Sequence, residues 1–149
     1  MNREQLEAKI SAKFPKVQKA KAEVKSYATY ALDAMDLIPF AAWLKDDCGF
    51  AYLQMHTATD WKGSLSLEGF IREPNPNVFL PDGATPQIQP PKDVAGNPYR
   101  DAIECLYALQ NLETGLIVFL KVDVAREGGK VPSLTGLFKA ADWQERETF

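Results

Sequence analysis

Few residues in this chain have the types and spacing that chemistry needs. The single histidine, His56, stands four positions before Asp60. A carboxylate can orient an imidazole for general base work. An apolar run passing into a loop rarely holds such a pair in catalytic geometry, so His56 reads as a structural or exposed side chain. Asp33, Asp36, Asp46 and Asp47 could form an oxygen-ligand patch for a hard cation, but they flank an expected helix, where capping explains them. Gly128-Gly129-Lys130 is too short to cradle a phosphate and reads as a turn. The nucleotide-binding, nucleophile-elbow and zinc-protease motifs are absent. Cys48 and Cys105 lie far apart, without CxxC spacing, and cannot build a four-thiolate cluster. They fit small buried groups in a reducing compartment. One histidine cannot supply a His-based metal site.

The most concentrated chemistry is Glu145-Arg146-Glu147 in the stretch VPSLTGLFKAADWQERETF. On a helix, three successive residues point in three directions, so the triplet cannot close as one salt bridge. At least one member is expected to meet a group from elsewhere, either a core charge or another subunit. Arg146 carries a planar fork suited to a carboxylate.

These residues need a scaffold. The length of 149 residues suits one domain, and the apolar and charged fractions are those of a globular protein. A net charge of -3 argues against a broad nucleic-acid footprint. Lys9, Lys13, Lys16, Lys19, Lys21 and Lys25 crowd the first part of the chain and read as a solvated face. No apolar run approaches the roughly 18 residues of a membrane span, and no signal peptide is visible.

Residues 2–14 predict an amphipathic helix. Leu6, Ile10 and Phe14 recur at i+4, Asn2 and Gln5 form a capping pair, and Pro15 ends the run. Residues 20–28 carry a modest strand signal. Asp36 is expected to cap a helix over 37–47, with Gly49 in a left-handed cap beyond it. Residues 50–57 predict a strand, placed centrally because both faces are apolar. Residues 101–109 and 116–124 predict an antiparallel hairpin around Asn111 to Gly115. Ser133 is expected to cap a last helical segment bearing Leu134, Leu137, Phe138 and Ala141. The predicted fold is α+β and two-layered: a largely antiparallel sheet of about four strands packed with two to three helices.

Residues 63–99 differ in kind. Seven of the ten prolines, Pro74 to Pro98, fall here, around an apolar island of Val78, Phe79 and Leu80. Such a stretch reads as a long insertion, either pinned to the domain by that island or binding a partner through it.

The terminal segment, as a whole, resembles the signature of the 30-kilodalton subunit family of respiratory complex I, the proton-pumping NADH:quinone oxidoreductase. The resemblance rests on Val131, Pro132, Ser133, Thr135, Leu137, Phe138, Ala140, Ala141, Trp143, Glu145, Arg146 and Glu147. Ala58-Thr59-Asp60-Trp61 is similar to the T-x-x-D-[YW] element of that family, and Tyr107-Ala108-Leu109 to its Y-x-L strand. The likeness spans roughly residues 20–62 and 100–149, whereas the first helix matches only in general character. Two departures stand out. The family joins the Asp60-like position to the next strand by a few residues, and it continues beyond the ERE triplet with D-x-F-G-I. The expectation is therefore one domain over 1–149, with an insertion at 63–99 and a trimmed C-terminus.

The resemblance implies a subunit of the hydrophilic arm that holds no cofactor or metal of its own and performs no catalysis. It implies docking on the 49-kilodalton subunit at the cytoplasmic face of the membrane. Pro132, Ser133, Thr135, Phe138, Trp143, Glu145, Arg146, Glu147 and Asp60 would be its signature and interface residues. Two other readings stay open. One is the equivalent subunit of a membrane-bound hydrogenase or formate hydrogenlyase. The other is a free-standing small-molecule enzyme or binding domain using His56, Asp60 and Tyr107.

Overall fold

The computed structural model describes residues 2–20, 27–61 and 101–148. The chain begins with α1, Arg3–Lys13, and Asn2 caps it as its spacing from Gln5 requires. The Gln5 N–H donates to the Asn2 side chain at 2.9 Å, and the Asn2 N–H donates to the Gln5 side chain at 3.0 Å. Two of the first orphan donors are thus satisfied by the sequence itself. Leu6 and Ile10 are buried, and Phe14 packs edge-on against Phe40 at 4.9 Å, tying α1 to the next helix.

Most of the strand expected over 20–28 falls on residues 21–26, which lie outside the described residues. Strand β1 is Gln18–Lys19 and β2 is Ala28–Leu32. The apolar ATYAL run forms β2, and its side chains are mostly buried. A 3-10 turn, Ala34–Asp36, leads into α2, Leu37–Asp46. Asp36 does not cap: its backbone is already helical and its side chain makes no capping bond. The helix ends at Gly49, whose φ of +74° lets the chain reverse. The Phe50 N–H then returns to the Leu44 carbonyl at 2.9 Å.

The remaining strands are β3, Tyr52–Asp60, β4, Ala102–Gln110, and β5, Ile117–Ala125. Among the described residues the sheet has five strands in the order β1-β2-β5-β4-β3. Three pairings are antiparallel, and β2 runs parallel to β5, so the sheet is mixed. The hairpin of β4 and β5 forms as its spacing predicts. Strand β3, expected to be central, lies beside β4 at the edge of the sheet that the described residues form. Its apolar content reflects cover from the C-terminal segment and not strands on both sides. Leu53 is buried, whereas Tyr52 and Met55 remain exposed.

One face of the sheet carries Tyr30, Leu32, Tyr107, Leu109, Val118, Leu120 and Val122. They merge with Leu6, Ile10, Phe40 and Leu44 from the helices into one core. Each fully buried Leu or Phe stabilises the fold by about 1.5–3 kcal/mol. After β5 the chain makes a series of turns and forms α3, Ala141–Thr148. The helix expected from Ser133 is therefore delayed. Gly136 and the hydroxyls of Ser133 and Thr135 favour turns over helix. The core spacing still holds, because Leu134, Phe138 and Ala141 are all buried. The predicted insertion at 63–99 lies outside the described residues.

Candidate functional site

The signature residues divide into a half-buried fastening and an exposed face. Glu145 is the fastening. Its carboxylate accepts the Leu134 N–H at 2.8 Å and the Ser133 hydroxyl at 2.6 Å. Because the Ser133 proton is committed to Glu145, the Thr135 hydroxyl donates to Ser133 Oγ at 2.8 Å. The Thr135 N–H adds a contact to the same oxygen at 3.2 Å. Ser133 therefore ties a turn to α3 and does not start a helix. Pro132 is half-buried just ahead of this knot, and Phe138 is buried beneath it. The group expected for the triplet is a core charge or another subunit; Glu145 instead meets two uncharged donors of the preceding turn, the Leu134 N–H and the Ser133 hydroxyl.

Arg146 behaves differently. It pairs with Asp142 one turn back, at 3.0 Å through a single nitrogen, and not with a distant carboxylate. Its guanidinium lies 5.8 Å from the centre of the Trp143 ring. Trp143 is 70% exposed, and Glu147 is exposed beside it. The indole, with the arginine beside it, thus stands in solvent and contributes little to the core of its own chain. Tryptophan and arginine are also the types most often found carrying binding energy at interfaces.

Asp60 stands at the far end of β3 and meets Arg126 in a two-point fork, at 2.9 and 2.7 Å. Its register partner is Ile103, whose partner on β5 is Val124, so Arg126 follows two residues beyond the same rung. The Trp61 N–H donates to the Ala102 carbonyl at 3.0 Å, which extends the pairing of β3 and β4 past the fork. Asp60 thus closes the sheet end and lies apart from the Glu145 knot.

His56 and Tyr107 do come together. Their rings stack at 4.3 Å with planes 12° apart. Asp60 takes no part in this pair, since its carboxylate is engaged by Arg126. The His56 Nδ1 lies 3.3 Å from the Leu106 carbonyl, and Nε2 lies 3.0 Å from the Thr148 hydroxyl. Burial lowers the pKa of His56, opposed by the Leu106 carbonyl and by the charge of Glu145. Burial pushes the Tyr107 phenol well above its usual range. A histidine and a tyrosine locked against each other and against α3 serve to hold that helix.

Cys48 and Cys105 are buried free thiols, each raised by burial. Among the described residues, no group of three or more His, Cys, Asp and Glu side chains is placed to hold a metal. Among the same residues, no helix is long and apolar enough to cross a membrane.

Two positioning residues escaped sequence reasoning. Lys45 of α2 donates to the Leu137 carbonyl at 2.8 Å and rests over the Phe138 ring, pinning the signature loop to the core. Asn111 is buried, donates to the Cys48 carbonyl at 2.9 Å, and accepts the N–H groups of Glu113 and Thr114. A polar residue opening a tight hairpin hints at the second role. No local pattern marks the first, because its partner lies 92 residues away.

Comparison with known proteins gives a consistent picture. The profile of the family described as respiratory-chain NADH dehydrogenase, 30 Kd subunit, matches residues 30–149. The NAD(P)H-quinone oxidoreductase subunit J of Synechococcus sp. (strain WH7803) is 70% identical over 33 residues, 22% of this chain and 18% of that protein. Its counterpart from Parasynechococcus marenigrum (strain WH8102) is 67% identical over 33 residues, with the same shares. These matches span less than a fifth of either relative. Among solved structures, a trypsin-resistant fragment of Nqo5 superposes with a TM-score of 0.62 at 18% identity, covering 99% of this chain and 89% of that one. A chain of the membrane-bound sulfane sulfur reductase, an archaeal respiratory membrane complex, gives 0.63 at 20% identity, covering 97% and 64%. Both likenesses establish the fold.

Proposed function

This chain belongs to the family of the 30 Kd subunit of respiratory-chain NADH dehydrogenase, and from that premise we propose that it is a docking subunit of a membrane-associated NADH:quinone oxidoreductase. The observation that carries the reading is the division of labour on α3. Glu145 is spent inside the chain, while Trp143 and Arg146 are presented outward. The folded domain acts as a rigid block, and this helix face supplies contact area to a neighbour. The neighbour we assign is the 49-kilodalton subunit of the hydrophilic arm. On this reading the chain acts on the cytoplasmic side, held to the membrane through its partners. It is one domain in which residues 63–99 are inserted, and Pro132, Thr135, Glu147 and Asp60 support or border the contact face. The electron-transfer chemistry belongs to the other subunits.

A second reading keeps the fold and changes the machine. Similarity to a chain of an archaeal sulfane sulfur reductase favours an equivalent place in a related membrane complex, such as a membrane-bound hydrogenase or formate hydrogenlyase. Affinity purification of the tagged chain from its own cells distinguishes the two. Recovery of the 49-kilodalton subunit together with NADH-oxidising subunits supports the first reading, and hydrogenase subunits in their place support the second. Recovery of neither set overturns both.

A further inference from the structure

Helix α3 is fastened to the sheet at its last turn by one titratable ring. His56 on β3 stacks on Tyr107 of β4, and its Nδ1 faces the Leu106 carbonyl at 3.3 Å. A carbonyl can only accept, so the neutral ring carries its proton on Nδ1. Nε2 is then an acceptor, and the Thr148 hydroxyl donates to it at 3.0 Å. The same hydroxyl lies 3.2 Å from the Gln144 carbonyl and 3.0 Å from the Glu145 carbonyl of its own helix. It therefore has somewhere else to turn.

We propose that His56 is a proton-operated latch for α3: the neutral ring holds the helix through the Thr148 hydroxyl, and a proton gained at Nε2 loosens that hold. Protonation makes Nε2 a donor, so the Thr148 proton must swing to the Gln144 or Glu145 carbonyl. The bond reverses without being lost. The cost lies in placing a full positive charge in the half-buried space between Tyr107 and α3. The groups around the ring compensate only in part. From α3, the Glu145 carboxylate attracts the charge but is already engaged by Ser133 and Leu134. From β4, Tyr107 and Cys105 are held un-ionised by burial. From β3 itself, Asp60 is taken by Arg126. Burial remains the largest influence on the ring. Lifting the last turn of α3 returns the imidazole to water, so the open form takes up the proton more readily and acid shifts the population toward it. Trp143 and Arg146 ride on the same helix, so the latch would also govern how the proposed docking face is presented. The latch itself does not depend on that docking assignment.

The test is amide hydrogen exchange of α3 in the full chain, corrected for intrinsic rates, at about pH 7.5 and about pH 5. Protection of α3 is expected to fall by about threefold to tenfold on acidification. The midpoint should coincide with the imidazole titration seen by NMR, which belongs to the only histidine in the sequence. His56→Phe keeps the ring stack, cannot titrate, and is expected to abolish the pH dependence. Equal wild-type protection at both pH values overturns the proposal, as does an unchanged acid loss in His56→Phe. Should that variant not fold, Thr148→Val leaves the stacked imidazole in place. It is expected to show, at the higher pH, the weak protection of the acidified wild type. Wild-type protection and a full acid loss in Thr148→Val would also overturn it.

Discussion

The carboxylate of Glu145 accepts the backbone N–H of Leu134 at 2.8 Å, fixing the loop ahead of α3 to the helix that follows it. The same carboxylate takes the Ser133 hydroxyl at 2.6 Å. Two hydrogen bonds to a charged acceptor in a half-buried setting make this the strongest local restraint on the signature segment. Substituting Glu145 by Ala is expected to cost about 2 kcal/mol, read as a lower midpoint in urea unfolding. Glu147→Ala, on the exposed side of the same turn, should change stability by no more than about 0.5 kcal/mol. Equal effects of the two changes would remove Glu145 from this role.

Gly49 is required twice over. Its φ is +74°, and a Cβ built there would lie 2.8 Å from Asn111 Nδ2, which donates to the Cys48 carbonyl. Gly49→Ala is expected to cost about 2–4 kcal/mol, from left-handed strain and loss of the buried bond together. Gly115 has a φ of +72° but nothing near its missing Cβ. Gly115→Ala should therefore cost only the strain, about 1–2 kcal/mol. Thermal unfolding of the two variants side by side tests the difference.

Trp143→Ala and Arg146→Ala are expected to leave stability within about 0.5 kcal/mol of the wild type. Trp143 is 70% exposed and the Arg146–Asp142 pair lies on the surface. Both variants should instead reduce recovery of the chain in its complex, the tryptophan change more than the arginine change. Full recovery of the complex with the doubly substituted chain would remove the contact face from α3.

Strands β3 and β4 are paired up to Asp60 and Ile103, and the Trp61 N–H still reaches the Ala102 carbonyl beyond that rung. The points where residues 62–100 depart and return are thus already held together. Replacing 62–100 with a two-residue Asn-Gly turn is expected to preserve the sheet, because closing a short loop costs less entropy than closing a long one. Circular dichroism and a single cooperative urea transition check this. Loss of the cooperative transition would show that residues 62–100 help hold the fold.

Stability should also fall on mild acidification. His56 has a lower pKa in the folded chain than when exposed, so the unfolded state binds the proton more tightly. The penalty is absent above the ordinary histidine pKa, appears as pH falls through about 6.5, and stops growing below the folded value. Glu7, lowered chiefly by its bond to Arg3, titrates in a more acidic window and should not contaminate the first. Urea midpoints between about pH 8 and about pH 5 for wild type and His56→Phe separate the two effects.

Local patterning determined much of this protein by itself. The α1 cap, the position of α2, the β4–β5 hairpin and the spacing of Leu134, Phe138 and Ala141 depend on neighbours a few residues apart, so the sequence carries them openly. Its signature residues were also enough to point to the family. Tertiary structure decided the rest, because the deciding partners are distant along the chain. An apolar strand can be central between two strands or, like β3, an edge covered by a helix, and periodicity reads the same in both cases. Likewise no spacing rule reveals that Asp60 meets Arg126, that Lys45 holds Leu137, or that His56 turns to Thr148. In the ERE triplet, composition supplied three charges on three faces, and only the packing of α3 made Glu145 an internal fastening and left Arg146 for the surface.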